Sequence, residues 1–138
     1  MVTEAKRPAT VERRRALFED AAEIVRAEYP RPVVLDDVAR RVAASRRQLQ
    51  RAFAEAGETT FRTYLQKVRM AQAAQLLRHD SMPVNRVARA VGYRQPAQFA
   101  KAFRRHLGVA PSDYRADGAR HAARFRSDGA LDDAARAA

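Results

Sequence analysis

Large apolar residues recur along most of the chain at three- and four-residue steps, the spacing that lines one face of an α-helix. From about Thr10, Leu17, Ala21 and Ile24 form such a stripe beside Phe18, Ala22, Val25 and Tyr29, until Pro30 and Pro32 end it. Leu35, Val38, Ala39 and Val42 repeat the spacing over a short helix whose first turn holds Asp36 and Asp37, where the positive end of the helix dipole favours carboxylates. Ala43-Ala44 breaks the pattern. Ser45-Arg46-Arg47-Gln48 then has capping-box form, so a second short helix is predicted from Arg46, with Leu49, Ala52 and Phe53 turned inward. Gly57, near its end, is read as the left-handed residue that stops it.

Thr60 is a candidate cap for a long helix over 60–78. Its apolar stripe changes sides midway: Phe61, Leu65 and Val68 share one face, whereas Met70, Ala73, Ala74 and Leu77 fall on roughly the opposite one. Such a helix suits a rigid bridge between two bodies, about 27 Å long at 1.5 Å per residue. After a loop from His79 to Met82, Pro83 suits a first helical position, and Val84, Val87, Ala88 and Val91 reproduce the spacing of 35, 38, 39 and 42. Gly92 occupies the turn, Gln95-Pro96 opens a helix with Phe99, Ala102 and Phe103 inward, Gly108 stops it, and Pro111 starts a short final turn carrying Tyr114.

The same unit is therefore written twice. Val38-Ala39-Arg40-Arg41-Val42 corresponds to Val87-Ala88-Arg89-Ala90-Val91, and Leu49, Phe53 and Tyr64 correspond to Phe99, Phe103 and Tyr114, with one extra residue in the second copy between its two short helices. One copy would fit any helical hairpin; two copies, each with an inward Leu/Phe or Phe/Phe pair and an outward polar face, fit paired helix-turn-helix units. The fold class is all-α, two helix-turn-helix lobes joined by a long linker helix. The expected divisions are 1–9, a polar disordered arm; 10–59, the first lobe; 60–78, the linker; 79–115, the second lobe; and 116–138, an Ala-, Arg- and Asp-rich tail, flexible or weakly helical.

Charge adds a partner to this picture. Among 138 residues, 27 Lys and Arg face 16 Asp and Glu, a formal net charge of +11, which attracts polyanions. The chain has no cysteine, which excludes disulfides, thiolate zinc sites and thiol nucleophiles. His79, His106 and His121 are scattered, and no Ser/His/Asp pattern or glycine-rich phosphate loop is present, so neither catalysis, a cofactor nor a metal is expected. No apolar run approaches the roughly 20 residues that cross a bilayer, and Met1 to Thr10 has no apolar signal core, so no membrane partner is expected.

In a helix-turn-helix the early residues of the second helix meet base edges while flanking groups hold phosphates. In the first lobe Arg46, Arg47, Gln50 and Arg51 point away from Leu49 and Phe53. Arginine pairs with guanine O6 and N7, and glutamine with adenine N6 and N7. In the second lobe the outward set is Pro96, Ala97, Gln98, Ala100 and Lys101, with Gln98 and Lys101 as strong hydrogen-bonders and Ala97 and Ala100 able to touch thymine methyls, so a looser sequence preference is expected there. Ser45 and Gln95, at the two helix starts, are assigned to phosphate; Arg104 and Arg105, one turn further on, meet phosphate or solvent.

The second copy, Gly92-Tyr93 followed by Phe99, Lys101, Phe103, Arg104, Gly108, Pro111 and Tyr114-Arg115, resembles the signature of the AraC/XylS family of bacterial transcription regulators. The first copy, with Ser45, Leu49, Gln50, Arg51 and Phe53, is similar to the family as well, so the resemblance covers roughly Leu17 to Arg115. It implies about seven helices, base contacts at the positions of Arg47, Gln50 and Arg51, double-stranded DNA and RNA polymerase as partners, usually in activation, and a place in the bacterial cytoplasm at the nucleoid. Two recognition helices in one chain would enter successive major grooves about 34 Å apart, so a monomer could read its site. Ala43 and Glu58 stand where the family usually has glycine, Val34 and Ala110 where it often has Ser or Thr caps, each a local cost of about 1 kcal/mol. Arg94-Gln95-Pro96-Ala97 is an unusual opening for the second recognition helix. A nucleoid-type protein coating DNA without sequence preference is the alternative function. The absence of cysteine argues against the DNA-repair methyltransferases that carry a similar domain. Met1 without a tag-like sequence leads us to expect a complete short chain rather than a regulator cut from its sensor.

Overall fold

The computed structural model describes residues 8–117. Among them it has seven helices and no strand: α1 (Pro8–Glu28), α2 (Leu35–Arg41), α3 (Arg46–Glu55), α4 (Phe61–His79), α5 (Val84–Ala90), α6 (Pro96–Leu107) and α7 (111–117). The expected arm and tail lie outside the described residues, except that Pro8 and Ala9 already belong to α1, which starts ahead of the predicted Thr10, and that 116 and 117 belong to α7. The chain divides into two compact units, with the boundary between Val68 and Arg69, inside α4.

The first unit is built on Ala21 of α1, Val38 and Ala39 of α2, and Leu49 and Phe53 of α3, all buried, with Phe18, Phe61 and Tyr64 packed around them. Phe53 is the hub. Its ring meets Phe18 edge-on at 5.0 Å, Phe61 at 5.6 Å and Tyr64 at 5.8 Å, the geometry in which a ring edge faces a π-cloud. In the second unit Met70, Ala73, Ala74 and Leu77 of α4 are buried, as are Val87, Ala88 and Val91 around α5 and Phe99, Ala102 and Phe103 of α6. Phe103 lies 5.8 Å from Phe99 and 5.3 Å from Tyr114. The switch of α4's apolar face from Leu65 to Met70 brackets the boundary between the units, so the two halves of one helix serve two cores.

Each unit is closed by an arginine from its long helix. Arg26 of α1 donates to the Tyr64 hydroxyl at 2.8 Å, and Arg78 of α4 donates to the Tyr114 hydroxyl at 2.9 Å. The C-terminal half of α4 thus does for the second unit what α1 does for the first. Arg115 fastens α7 further, its guanidinium donating to the carbonyls of Leu77 (3.1 Å), Asp80 (3.1 Å) and Met82 (2.5 Å) beyond the last turn of α4.

The turns inside the two units match bond for bond. Ala44 N–H donates to the Ala39 carbonyl at 2.9 Å and Tyr93 N–H to the Ala88 carbonyl at 2.8 Å. The residue before each is left-handed: Ala43 at φ +56° and Gly92 at φ +101°. Three local expectations need correction. The left-handed residue after α3 is Glu58, at φ +53°, and not Gly57. Gly57 is required by packing instead, because a Cβ there would fall 2.5 Å from the Phe18 ring. Pro83 is the residue before α5, not its first helical residue, and α4 extends to include His79, one residue past the predicted end.

Candidate nucleic-acid interface

α3 begins where the sequence dictates. Ser45 Oγ accepts the Gln48 N–H at 3.0 Å while the Gln48 side chain accepts the Ser45 N–H at 2.8 Å, so both capping-box bonds are present. Ser45's N–H is therefore taken, and its hydroxyl proton is what it has left to offer a phosphate. With the start fixed, helical geometry buries Leu49, Ala52 and Phe53 and exposes Arg46, Arg47, Gln50 and Arg51 together on the outer face. The four residues expected to meet bases in the first lobe thus share one solvent-facing strip.

Their partners are few and weak. Arg46 lies 3.6 Å from Asp36 with both side chains more than 60 % exposed (64 % and 62 %), a contact worth little against water. Arg51 lies 3.8 Å from Glu55 of the next turn, and Glu55 also takes Arg14 of α1 at 2.5 Å. Arg47 and Gln50 make no hydrogen bond or ion pair among the described residues. Away from this strip, Arg41 grips Glu28 through both nitrogens (2.8 and 2.5 Å), joining α2 to α1. The pairing holds the Glu28 carboxyl below its ordinary range, and the Arg41 guanidinium above its own.

α6 is built differently. Gln95 precedes it in an extended conformation without a side-chain cap bond, and Pro96 takes the first helical position, where its fixed φ is preorganised and its missing N–H costs nothing. Phe99, Ala102 and Phe103 are buried; Ala97, Gln98, Lys101, Arg104 and Arg105 are exposed, and Ala100 is only half-exposed. Gln98 corresponds to Gln48 but has no capping bond to make, which leaves its amide open to solvent. Arg104, Arg105 and His106 fall in the last turn, where the helix dipole favours cations in any case. In the same unit Arg69 of α4 lies over the Tyr93 ring, 5.7 Å from its centroid, and partial burial lowers its pKa. Nothing in the sequence singled out Arg14 or Glu55. Their charges look like any solvated helix face until α1 packs on α3.

Among the described residues there is no group of side chains fit to hold a metal ion and no helix long and apolar enough to cross a membrane. Two compact helical units, each presenting the second helix of a helix-turn-helix, define a DNA-binding regulator fold, and comparison with known proteins agrees. Residues 38–117 match the model of a helix-turn-helix domain family. The lactose operon transcription activator of Staphylococcus xylosus is 32 % identical over 98 residues, 71 % of this chain and 35 % of that protein. The regulator GbdR of Pseudomonas aeruginosa is 33 % identical over 98 residues, 71 % of this chain and 27 % of its own. Among solved structures, an AraC-type regulator from Chromobacterium violaceum superposes with TM-score 0.72 at 30 % identity, over 75 % of this chain and 93 % of that one. The DNA-binding domain of AdpA, solved with a target DNA, gives 0.69 at 28 % identity, over 72 % and 90 %. The chain belongs to the AraC/XylS-type family of helix-turn-helix transcriptional regulators. Its matched region is the helix-turn-helix domain of such regulators, and the chain spans about a third or less of the length of the curated relatives named here.

Proposed function

We propose that this protein activates transcription by inserting α3 and α6 into successive major grooves of a promoter, as a monomer that touches RNA polymerase. The observation that carries the reading is the outer face of α3: three arginines and a glutamine, the side chains suited to guanine and adenine edges, exposed together opposite a buried Leu/Ala/Phe stripe. Arg46, Arg47, Gln50 and Arg51 read bases in this account; Ala97, Gln98 and Lys101 do so more loosely from α6. Ser45, Gln95, Arg104 and Arg105 hold phosphates. The activating sign is supported by the relative that is named an operon activator. With about six phosphates neutralised, log K should fall with log salt at a slope near −5.

The net charge of +11 by itself favours a second reading, a coating protein with little sequence preference. Selection of bound sequences from a random duplex pool, followed by competition of the selected duplex against random DNA, separates the two. A regulator of this kind should prefer its site by about 10³-fold or more. A ratio near one supports the coating protein and removes the proposal.

A further inference from the structure

α1 and α3 leave between them an open cleft of about 410 Å³ bordered by four guanidinium groups: Arg13 and Arg14 from α1, Arg47 and Arg51 from α3. The Glu55 carboxylate is already taken up by Arg14 at 2.5 Å and lies 3.8 Å from Arg51. Arg13 and Arg47 have no hydrogen bond or ion pair among the described residues, and both are exposed. A cluster of like charges facing one open space is disfavoured unless an anion occupies it, and planar guanidinium forks match the oxygens of a phosphate. The first turn of α1, which also borders the cleft, carries no acidic residue that would offset the cations.

We infer that this cleft seats a backbone phosphate of DNA beside the bases met by α3, so that Arg13 of α1 extends the interface beyond the two helix-turn-helix units. This rests on the DNA-binding reading of α3. Arg47 lies on both the reading face and the cleft, and so joins the base step to the phosphate next to it. Arg14 is a positioning residue: by bonding Glu55 it limits how far that carboxylate can hold Arg51 away from DNA. An exposed arginine at residue 13 is a neutral choice for the fold, and its value lies in the ligand.

The test is the salt dependence of binding by the whole chain, measured on a selected duplex and on a random one, for wild type, Arg13→Ala, Arg13→Lys and Arg15→Ala. Arg15 is on the same helix but does not border the cleft. Arg13→Ala should weaken both duplexes by the same factor and make the slope of log K against log salt shallower by about 0.9, one phosphate contact. Arg13→Lys should restore most of the slope, and Arg15→Ala should leave it unchanged. A wild-type slope in Arg13→Ala, or a loss confined to the selected duplex, overturns the inference while leaving the DNA-binding reading intact. Titration with inorganic phosphate alone is the other arm: binding that Arg13→Ala abolishes without altering the DNA slope would make the cleft a free-anion site and overturn it too. If wild type bound neither duplex, both the inference and the reading it rests on would fail.

Discussion

The two units repeat one frame and fill it with opposite chemistry. In the first, both left-handed positions are held by residues with a Cβ, Ala43 at φ +56° and Glu58 at φ +53°; in the second, glycines hold them, Gly92 at φ +101° and Gly108 at φ +84°. The first unit has a fully formed capping box and an exposed strip of three arginines and a glutamine at the start of α3, whereas the second starts its helix on Pro96 without a side-chain cap and offers only Gln98 and Lys101 as polar side chains over the corresponding first turns. The aligned positions make the contrast plain: Arg47 becomes Ala97, Gln50 becomes Ala100, and only Arg51 keeps a cation, as Lys101. The first unit combines strained turns with a rich recognition face; the second has relaxed turns and a sparse face. The repeat therefore conserves how the helices are held and lets what they offer to DNA diverge.

The sharpest way to break this contrast is at Gly57, which has no glycine counterpart in the second unit, where Leu107 stands. Gly57→Ala would drive a Cβ into Phe18, whose ring is locked edge-on to Phe53 and Tyr64, and should cost about 3 kcal/mol in a denaturant melt. On the recognition side, Arg51→Ala should lose about 1 to 3 kcal/mol of discrimination at one position of the target, read by competition between single-base variants of the site. Lys101→Ala should lose less. If Arg51→Ala instead weakened all duplexes equally, its role would be backbone contact. Next come the turns: Gly92→Ala should destabilise by about 1 to 2 kcal/mol, while Ala43→Gly, which relieves the left-handed strain but adds unfolded-state freedom, should change stability by less and in the favourable direction. Equal effects at both positions would erase the distinction drawn here.

The smallest effect concerns the ion pair that joins α1 and α2, which the second unit cannot repeat at the aligned position because Ala90 replaces Arg41. Because Arg41 holds the folded Glu28 carboxyl below its ordinary value, the pair contributes stability above the carboxylate's unfolded pKa and loses it as pH falls through the folded one. Melting temperatures of wild type should accordingly drop more between pH 7 and pH 3 than those of Glu28→Gln. An identical drop would show that the pair contributes nothing that acid removes.

Local rules carried much of this architecture. Apolar periodicity located the short helices, the Ser45/Gln48 spacing set the start of α3, and the side switch within α4 anticipated two cores. What escaped the sequence depended on partners distant along the chain. Gly57 looked like a helix stop because its real constraint, the Phe18 ring, comes from another helix. The arginine–tyrosine closures of Arg26 with Tyr64 and Arg78 with Tyr114 follow from tertiary packing, and so does the meeting of Arg13 and Arg14 with α3. That Arg46, Arg47, Gln50 and Arg51 share an exposed face was legible because opposite faces of a short amphipathic helix are fixed once its buried stripe is known. Which bases they meet is not encoded in that geometry.

Hydroxyl-radical footprinting of the full chain on its selected duplex probes the central claim most directly. The account predicts two protected tracts on one face of the DNA, separated by about one helical turn, with the stronger protection at the half contacted by α3. Protection limited to a single groove segment, or uniform along the duplex, would contradict it.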